Sequence, residues 1–326
     1  MMRKWFSALV FTALLPVVAH AVGPQPAPLS PPVEVTFGYQ KVGHLAPIVM
    51  LGDELKKLGI TLKLVEFVRY ADARTALLAG SLDIATVGPA DLAIALSQGS
   101  TNVTGLMGVG SSPKYVVGRK GVTLDSWNDI KGKKIAIAPG SAVWFQFAAT
   151  LIEKGIPYNS FTAVNIQGGG ANFDQALQKG EIDAIVSWEP FESIPVMEGY
   201  GFFAKNLEYG QSKAVGPELG FVMTTKDMAE KKRPVVERIV WAYLKIQEEL
   251  AASPQKFAEA YAKLTGLDVK VSAEASKSIT LGAVVSPEQI KAQAKAFADL
   301  AVIQKDVSGD IEKYWDGSFV ANAKKK

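Results

Sequence analysis

One pattern occurs twice in the chain, as ALLAGSLDIA at residues 76–85 and as ALQKGEIDAI at residues 176–185. Each copy predicts the end of a helix, then a glycine, two further residues, an aspartate and a buried strand. Glycine is favoured at such a helix end because it adopts the left-handed conformation without steric cost. The same connection in two corresponding places predicts two domains built on one βα plan.

Strand-like and helix-like segments alternate around both copies of the repeat. The predicted strands are Val33–Phe37, Ile60–Phe67, Asp83–Val87, Val103–Val109, Tyr115–Val117, Lys134–Ala138, Ala163–Ile166, Ala184–Trp188 and Gly220–Thr224. The predicted helices include Ile48–Leu58, Ala71–Ala79, Val143–Lys154, Asn172–Lys179 and Val235–Leu250, and residues 226–326 are nearly all helical. Such alternation is typical of the α/β class, in which parallel sheets are covered by helices.

The strands near Tyr115 and Phe221 stand where the chain would leave a first domain and later return to it. We therefore expect a discontinuous first lobe of residues 33–117 plus 220–326, and a second lobe of residues 118–219. Two crossover segments would join the lobes in a clamshell. A ligand would bind between them, outside the carboxyl ends of the strands.

The first 32 residues are predicted to lie outside the lobes. Two basic residues precede an apolar run over residues 5–18, and residues 19–21 have the A-x-A spacing of a signal-peptide cleavage site. A membrane anchor is the alternative, but the run is short for a bilayer and Pro16 interrupts it. We expect cleavage after Ala21 and a periplasmic protein. Residues 22–32 contain five prolines and predict an extended, disordered spacer.

The composition excludes several kinds of chemistry. The chain has 326 residues, no cysteine, two histidines and a formal net charge of +3. Without cysteine there is no disulfide, thiolate metal site or cysteine nucleophile, and two histidines leave little for a zinc site or a catalytic triad. The charge is too small to indicate a nucleic-acid partner. We expect no cofactor, no metal and no catalytic residue.

Five short segments, in this order along the chain, carry a resemblance to a known family: FGYQ (37–40), GSLDI (80–84), IKGKKIA (130–136), PGS (139–141) and SWEPF (187–191). Together they resemble the periplasmic substrate-binding proteins of ABC importers for aliphatic sulfonates, taurine and nitrate. The resemblance implies a type II periplasmic binding-protein fold and delivery of a small anion to an ABC permease in the membrane. We expect a monomer without enzymatic activity.

The segment after Gly140 departs from the family pattern. Sulfonate-binding members often carry a serine-rich run at this point, whereas here Ser141 is followed by Ala142, Val143 and Trp144. The departure favours a larger, more apolar or aromatic acid over a plain sulfonate.

Two turns are candidate anion sites. Residues 140–143 join a predicted strand to a helix, so free backbone N–H groups, the helix dipole and the Ser141 hydroxyl would face an anion. The alternative is that Ser141 only caps its helix. Gly88, Pro89 and Ala90 are interpreted as the equivalent turn of the first lobe, with a plain connecting turn as the alternative.

Three side chains of the first lobe are candidate ligand contacts. Gln40 offers amide donors to an anion, and His44 offers charge or stacking unless it is an exposed loop histidine. Arg69 could hold a carboxylate or sulfonate with two hydrogen bonds, although a loop arginine is more often solvated.

Aromatic and acidic candidates come from the second lobe. Trp188 could form a wall of the pocket, with core or hinge packing as the alternative. Trp144 is a second candidate wall, for which core packing is the stronger alternative. Glu189 would repel an anion, so it is expected to cap its helix or to pair with a cation, unless the ligand carries an amine.

Two other functions remain open from the sequence. One is an enzyme on the same fold, related to thiamine-pyrimidine synthases. Those enzymes use a cysteine-rich motif and act in the cytoplasm, and this chain has neither feature. The other is a soluble ligand-sensing partner of a membrane receptor, which the sequence does not separate from uptake.

Overall fold

The computed structural model describes residues 22–282 and 285–325, which form two β-sheets covered by helices. The predicted signal peptide, residues 1–21, lies outside the described residues. The first sheet contains β1 (Val33–Tyr39), β2 (Ile60–Glu66), β3 (Ile84–Val87), β4 (Thr104–Ser111), β10 (Glu218–Thr224) and β11 (Thr280–Leu281). The second sheet contains β5 (Tyr115–Arg119), β6 (Lys134–Ala136), β7 (Thr162–Val164), β8 (Ala184–Ile185) and β9 (Gly201–Glu208). We call each sheet with its helices a lobe.

The helices are distributed over both lobes. They are α1 (Ile48–Lys56), α2 (Tyr70–Leu78), α3 (Asp91–Ser97), α4 (Ala142–Glu153), α5 (Gly170–Gln178), α6 (Ser193–Met197), α7 (Lys226–Lys231), α8 (Arg233–Ala251), α9 (Pro254–Thr265), α10 (Val269–Ser276), α11 (Pro287–Asp299) and α12 (Ser318–Ala323). In the described part of the chain, no helix combines the length and the apolar composition needed to cross a membrane. The α/β class predicted from the alternation is confirmed.

Both sheets are mixed rather than parallel. In the first, of order β11-β4-β10-β3-β1-β2, β1 runs parallel to β2 and β3, whereas β10 runs antiparallel to β3 and β4. In the second, of order β7-β6-β8-β5-β9, β6 runs parallel to β7 and β8, whereas β5 runs antiparallel to β8 and β9. The expectation of parallel sheets fails at the strands that enter or return from a lobe, because no βα unit precedes them.

The crossover segments lie beside the predicted lobe boundaries. The boundary predicted after residue 117 cuts β5, which pairs within the second sheet, and the boundary predicted before residue 220 cuts β10, which pairs within the first. The chain therefore crosses between the lobes at residues 112–114 and 209–217. The two crossovers are in contact, and the Tyr209 N–H of one donates to the Lys114 carbonyl of the other at 2.7 Å.

The two copies of the repeat end their helices with the same geometry. Gly80 and Gly180 have φ angles of +76° and +75°. In each copy the N–H of the following residue donates to the carbonyl five residues earlier, at 2.9 Å in the first and 3.0 Å in the second. This is the Schellman arrangement, which satisfies carbonyls at the helix end and requires a left-handed residue.

The aspartate of the repeat ties its strand to the neighbouring strand. Asp83 Oδ2 accepts the N–H of Thr36 at 2.9 Å, and Asp183 Oδ2 accepts the N–H of Lys134 at the same distance. Each aspartate N–H also donates to the carbonyl of that same partner residue. The carboxylate therefore sets the start of the parallel pairing in both lobes.

Residues 22–32, which we call the N-terminal strap, are extended but held against the first lobe. The Leu29 N–H donates to the carbonyl of Leu58 at 2.9 Å, and the Ala27 carbonyl accepts the guanidinium of Arg238 at 2.7 and 2.9 Å. The expectation of a disordered spacer is wrong. Proline removes backbone donors and fixes an extended path, but its neighbours keep carbonyls that helix side chains can bind.

One helix of the second lobe packs against the first lobe. Phe145 of α4 is 3% exposed and lies with its ring centroid 4.9 Å from that of Phe297 in α11. The Gln146 amide nitrogen donates to the carbonyls of Gly216 and Glu218 at 2.9 and 3.1 Å. The lobes therefore share an apolar cluster next to the second crossover.

Candidate ligand-binding site

The carboxyl ends of the parallel strands bring the predicted residues to one edge of each sheet. Gln40 follows β1 and Gly88 follows β3, and these two strands are neighbours in the first sheet. Ser141 follows β6 and Trp188 follows β8, and these two are neighbours in the second. Ligands of open α/β sheets bind at such edges, so the edges define the candidate site.

Gln40 is held with one end of its amide unsatisfied. Its side chain is 2% exposed, and its Oε1 accepts the hydroxyl of Thr86 at 2.9 Å. In the described residues its Nε2 has no hydrogen-bond partner. A buried donor without a partner is rare, because leaving it unpaired costs about 1–3 kcal/mol. The amide is therefore available to a ligand.

His44 is buried, contrary to the exposed-loop alternative. It is 8% exposed in a 3₁₀ turn over residues 43–45, and its Nε2 lies 2.5 Å from the hydroxyl of Tyr70. Burial, together with the positive charge of Lys114, lowers the pKa of His44 to about 3. The low pKa favours a neutral ring at pH 7, which offers a ligand a polar contact rather than a charge.

The turn after β3 is closed by its own carboxylate. Asp91 Oδ2 accepts the Gly88 N–H at 2.7 Å, and the other carboxylate oxygen is paired with Arg74. Pro89 has no N–H to offer, and Ala90 is the N-cap residue of a helix of only seven residues. Of the sequence alternatives, the structure resembles the plain connecting turn more than an anion site.

The turn after β3 is also not the counterpart of residues 140–143. In the repeat, β3 and β8 are equivalent strands of the two lobes. Gly88 therefore corresponds to Trp188. The turn 140–143 corresponds instead to the segment after β1, which contains Gln40. The sheet orders β2-β1-β3 and β7-β6-β8 give this assignment, because β6 takes the central place that β1 has in the first lobe.

Arg69 is exposed at the surface, and its guanidinium is bound to a neighbouring carboxylate. Its side chain is 74% exposed, and it makes two hydrogen bonds to Asp72, at 2.9 and 3.1 Å. The structure therefore resembles the solvated alternative. Arg74, whose side chain is 12% exposed, is instead paired with the buried carboxylate of Asp91.

The turn 140–143 has the geometry of an open helix N-terminus. Gly140 has a φ of +80°, and the Ser141 hydroxyl accepts the N–H of Trp144 at 3.2 Å, so the capping alternative is observed. Ala142 and Val143 begin α4, and in the described residues no hydrogen bond to the N–H of either is found. The first N–H groups of a helix lack intrahelical partners, so these two can still meet an anion.

The indole of Trp144 is bound to an aromatic side chain of its own lobe. Its Nε1 donates to the Tyr158 hydroxyl at 2.7 Å, and its ring meets Tyr158 edge to face at 6.2 Å. These contacts fit the packing alternative for Trp144.

Trp188 is half-buried at the second-sheet edge. Its ring lies edge to face on Phe191 at 5.9 Å and 3.8 Å from the position that a Cβ on Gly169 would occupy. Gly169 has a φ of +79°, so a glycine both forms this turn and leaves space beside the indole. The arrangement keeps Trp188 as a candidate wall.

Glu189 accepts the first N–H of α6, close to the capping role expected from the sequence, although the N-cap residue of that helix is Glu192. Glu189 is 5% exposed, and its two oxygens accept the hydroxyl and the N–H of Ser193 at 2.9 and 3.2 Å. Burial raises the pKa of Glu189, while these hydrogen bonds and the charge of Lys114 oppose the rise.

A buried ion pair at the crossover was missed by the sequence reasoning. Lys114 and Glu192 are each 1% exposed, and their charged atoms lie 3.8 Å apart. The Tyr209 hydroxyl donates to Glu192 Oε1 at 3.3 Å. Burial raises the pKa of Glu192, and nearby Glu189 adds to the rise, whereas Lys114 opposes it. A single lysine in a connecting segment has no spacing pattern that could have revealed this pair.

No cluster of three or more histidine, aspartate or glutamate side chains able to hold a metal occurs within residues 22–282 and 285–325.

A family model described as the NMT1-like family matches residues 29–266, which is more than half of the chain. The chain belongs to the NMT1-like family. The matched range spans both lobe edges described above, including the segments that hold Gln40, Ser141 and Trp188.

Curated relatives of this NMT1-like chain are named for sulfonate ligands. The taurine-binding periplasmic protein of Escherichia coli (strain K12) is 27% identical over 306 residues, covering 88% of this chain and 93% of that protein. A Bacillus subtilis (strain 168) protein, named as an aliphatic sulfonates-binding protein, is 26% identical over 300 residues, covering 89% and 88%.

The solved structures give the same fold. The chain is similar to a crystal structure from Methylobacillus flagellatus, named as the periplasmic sulfonate-binding protein of an ABC transporter, with a TM-score of 0.74 and 20% identity. The match covers 90% of this chain and 94% of that one. The periplasmic binding-protein fold and the resemblance predicted from five short segments are therefore confirmed.

Proposed function

We propose that the protein is a periplasmic solute-binding protein that captures a small organic anion between its lobes and delivers it to an ABC permease. It is a binding protein and not an enzyme, because the relatives that it resembles over most of their length are named as binding proteins. The first lobe comprises residues 33–111, 218–282 and 285–325, the second comprises residues 115–208, and the two crossovers join them. Export through a signal peptide ending at Ala21, and a monomeric state, are part of the proposal.

The observation that carries the proposal is the set of unsatisfied polar groups at the two sheet edges. Gln40 Nε2 and the Ser187 hydroxyl are both buried without partners in the described residues. The N–H groups of Ala142 and Val143 stand open at the start of α4. Buried groups of this kind are normally paired, so a polar ligand that pairs them would gain free energy from each.

The charges at the crossover favour an anion. Burial raises the pKa of both Glu189 and Glu192, which favours their uncharged forms. Lys114 faces these two carboxyl groups from the first crossover. Protonation of either acid leaves the positive charge of Lys114 less compensated, and α4 adds the positive end of its dipole.

The edge of the second sheet favours a ligand with an apolar or aromatic part. Trp188 lies half-buried there beside Gly169, which leaves space next to the indole. An aromatic face contacts an apolar or aromatic group at low entropic cost. We propose an organic sulfonate or carboxylate with an aromatic or alkyl group. Closure of the lobes on it would create the form that the permease recognises.

The test is thermal unfolding of residues 22–326 against alkyl sulfonates, aryl sulfonates, taurine, nitrate and aromatic carboxylates. A ligand present at 100 times its Kd stabilises the native state by about 2.7 kcal/mol, which raises the Tm by about 5 °C. We expect such a rise with at least one organic anion. No rise with any anion, together with turnover of a substrate, would show the proposal to be wrong.

A variant of Gln40 connects the rise to the proposed edge. Gln40→Met removes the unpartnered donor, while Thr86 keeps the carbonyl of Gly38 as an acceptor at 3.3 Å. We expect at least about tenfold weaker binding with no loss of Tm in the absence of ligand, since an unpaired buried donor is destabilising. The exposed Gln255→Met is the matched control and should change neither value.

A further inference from the structure

The N-terminal strap is fixed at its first residues by one face of α8. The Gly23 carbonyl accepts the Trp241 Nε1–H at 2.9 Å, and the Gly23 N–H donates to the carbonyl of Ala323 at 2.8 Å. Arg238, Trp241 and Glu248 are three and seven residues apart, so they share a face of the helix. The face binds the strap with a guanidinium, an indole and a carboxylate.

The carboxylate of this face meets the first described backbone nitrogen. Glu248 Oε2 lies 3.1 Å from the nitrogen of Val22, whose side chain packs against the core of the first lobe. The next residue, Glu249, is instead paired with Lys256 at 2.7 Å. Two adjacent glutamates of α8 therefore have different partners, a side-chain ammonium and a backbone nitrogen.

Signal-peptide cleavage would change the chemistry of that nitrogen. Hydrolysis of the Ala21–Val22 peptide bond by a signal peptidase adds the hydroxyl of water to the Ala21 carbonyl carbon and its hydrogen to the Val22 nitrogen. The products are a carboxylate on the leaving peptide and an α-amine, which has a pKa of about 8 and is an ammonium at neutral pH. A neutral N–H donor thus becomes a cation facing Glu248.

We propose that Glu248 binds the amino terminus produced by signal-peptide cleavage. Cleavage after Ala21 would then form an ion pair between the Val22 ammonium and the Glu248 carboxylate. The inference rests on the proposed export, and it assigns Val22 as the first mature residue. Cleavage one residue later would remove the nitrogen that meets Glu248. Cleavage one residue earlier would move the new charge one residue away from it.

Four proteins test the proposal in a cycle: chains beginning at Val22 or at an added alanine before it, each with Glu248 or Glu248→Gln. In the chain that begins at Val22, we expect Glu248→Gln to lower the Tm by about 2 °C at pH 7. In the extended chain, the shift should be less than half as large. The matched control Glu249→Gln should shift both chains equally.

The pH dependence follows from the sign of the expected shift. An ammonium paired with a carboxylate has a raised pKa, so its stabilisation is complete below about pH 8 and is lost above the raised value. The difference between Glu248 and Glu248→Gln should therefore disappear above about pH 10.

Two results would overturn the inference. One is an equal Tm shift from Glu248→Gln in both chain lengths. The other is a mature protein, exported from a bacterial cell and analysed by mass spectrometry, that begins at a residue other than Val22. Ligand binding measured on the same proteins should not change with Glu248, so failure here leaves the binding function standing.

Discussion

The turns after β3 and β8 follow equivalent strands of the repeat, but their buried carboxyl groups have different partners. After β3, Asp91 is bound by the Gly88 N–H and paired with Arg74, so the first lobe neutralises its own buried carboxylate. After β8, Glu189 and Glu192 share one lysine, at 3.8 Å from Glu192. The repeat thus determines where the helix ends and where the strand begins. The residues after it determine whether the polar groups of the turn are paired within the protein or remain available to a ligand.

The largest effect should come from breaking the closed turn. Arg74→Met leaves Asp91 buried without its cation, and removing one partner of a buried pair costs about 3–5 kcal/mol. We expect a loss of this size in urea denaturation. The double variant Arg74→Met, Asp91→Asn should recover most of it.

If the double variant is as unstable as Arg74→Met alone, the cost comes from lost packing of the arginine stem and not from the carboxylate. The comparison between the two turns would then be wrong in its electrostatic part.

The next effect concerns the second lobe, whose acids are less well compensated. Burial, together with the negative charges of Glu198 and Glu189, raises the pKa of Asp174 to about 8. The native state therefore binds more protons than the unfolded chain between about pH 4 and pH 8, so stability falls as pH rises through this range. Asp174→Asn should be more stable than the wild type by about 1–3 kcal/mol at pH 8 and equal to it below pH 4.

The measurement is the Tm as a function of pH, with exposed Glu181→Gln as the control. The control should follow the wild-type curve. An Asp174→Asn protein with the wild-type pH dependence would show that Asp174 does not titrate in this range.

The third prediction concerns the start of α4, which differs from the start of α3 in the group that lies there. The α3 start already holds a carboxylate, whereas the α4 start holds the hydroxyl of Ser141. Aspartate is as good an N-cap as serine, so Ser141→Asp should leave the stability of the protein nearly unchanged. It should weaken binding of an anion at least about tenfold, or 1.4 kcal/mol, by repulsion.

The matched control is Ser253→Asp, which makes the same change at the N-cap of α9. Calorimetry should give unchanged affinity for this control. Equal losses of affinity in both variants would indicate a general effect of charge. The start of α4 would then not be the place where the anion binds.

Much of the fold was readable from the sequence because the repeat carries its own structural reason. A glycine with positive φ and an aspartate that binds the neighbouring strand are local requirements, and both are observed. Strand β9 and the antiparallel pairing of β5 and β10 were not readable, since pairing direction depends on the path between lobes. The strap was misjudged because its contacts come from α8, more than 200 residues away.

The candidate site was readable where one residue type has a local role. Ser141 caps α4, and Glu189 binds the first N–H of α6, as their positions before helices indicate. The environment of His44 was not readable, because its burial and its contact with Tyr70 come from the packing of separate elements. The Lys114–Glu192 pair likewise joins residues 78 positions apart, which no short motif contains.

The smallest effect should come from Arg69, the arginine outside the closed turn. Its guanidinium is 74% exposed and bound to Asp72, and such surface pairs contribute about 0–1 kcal/mol. Arg69→Ala should therefore change ligand affinity by less than about twofold and lower stability by at most about 1 kcal/mol. The adjacent Tyr70→Phe should cost more, about 1–2 kcal/mol, because the buried His44 ring loses its hydrogen-bond partner. If Arg69→Ala instead weakened binding tenfold while Asp72→Ala did not, the arginine would have to leave Asp72 for the ligand, and the rim would belong to the site.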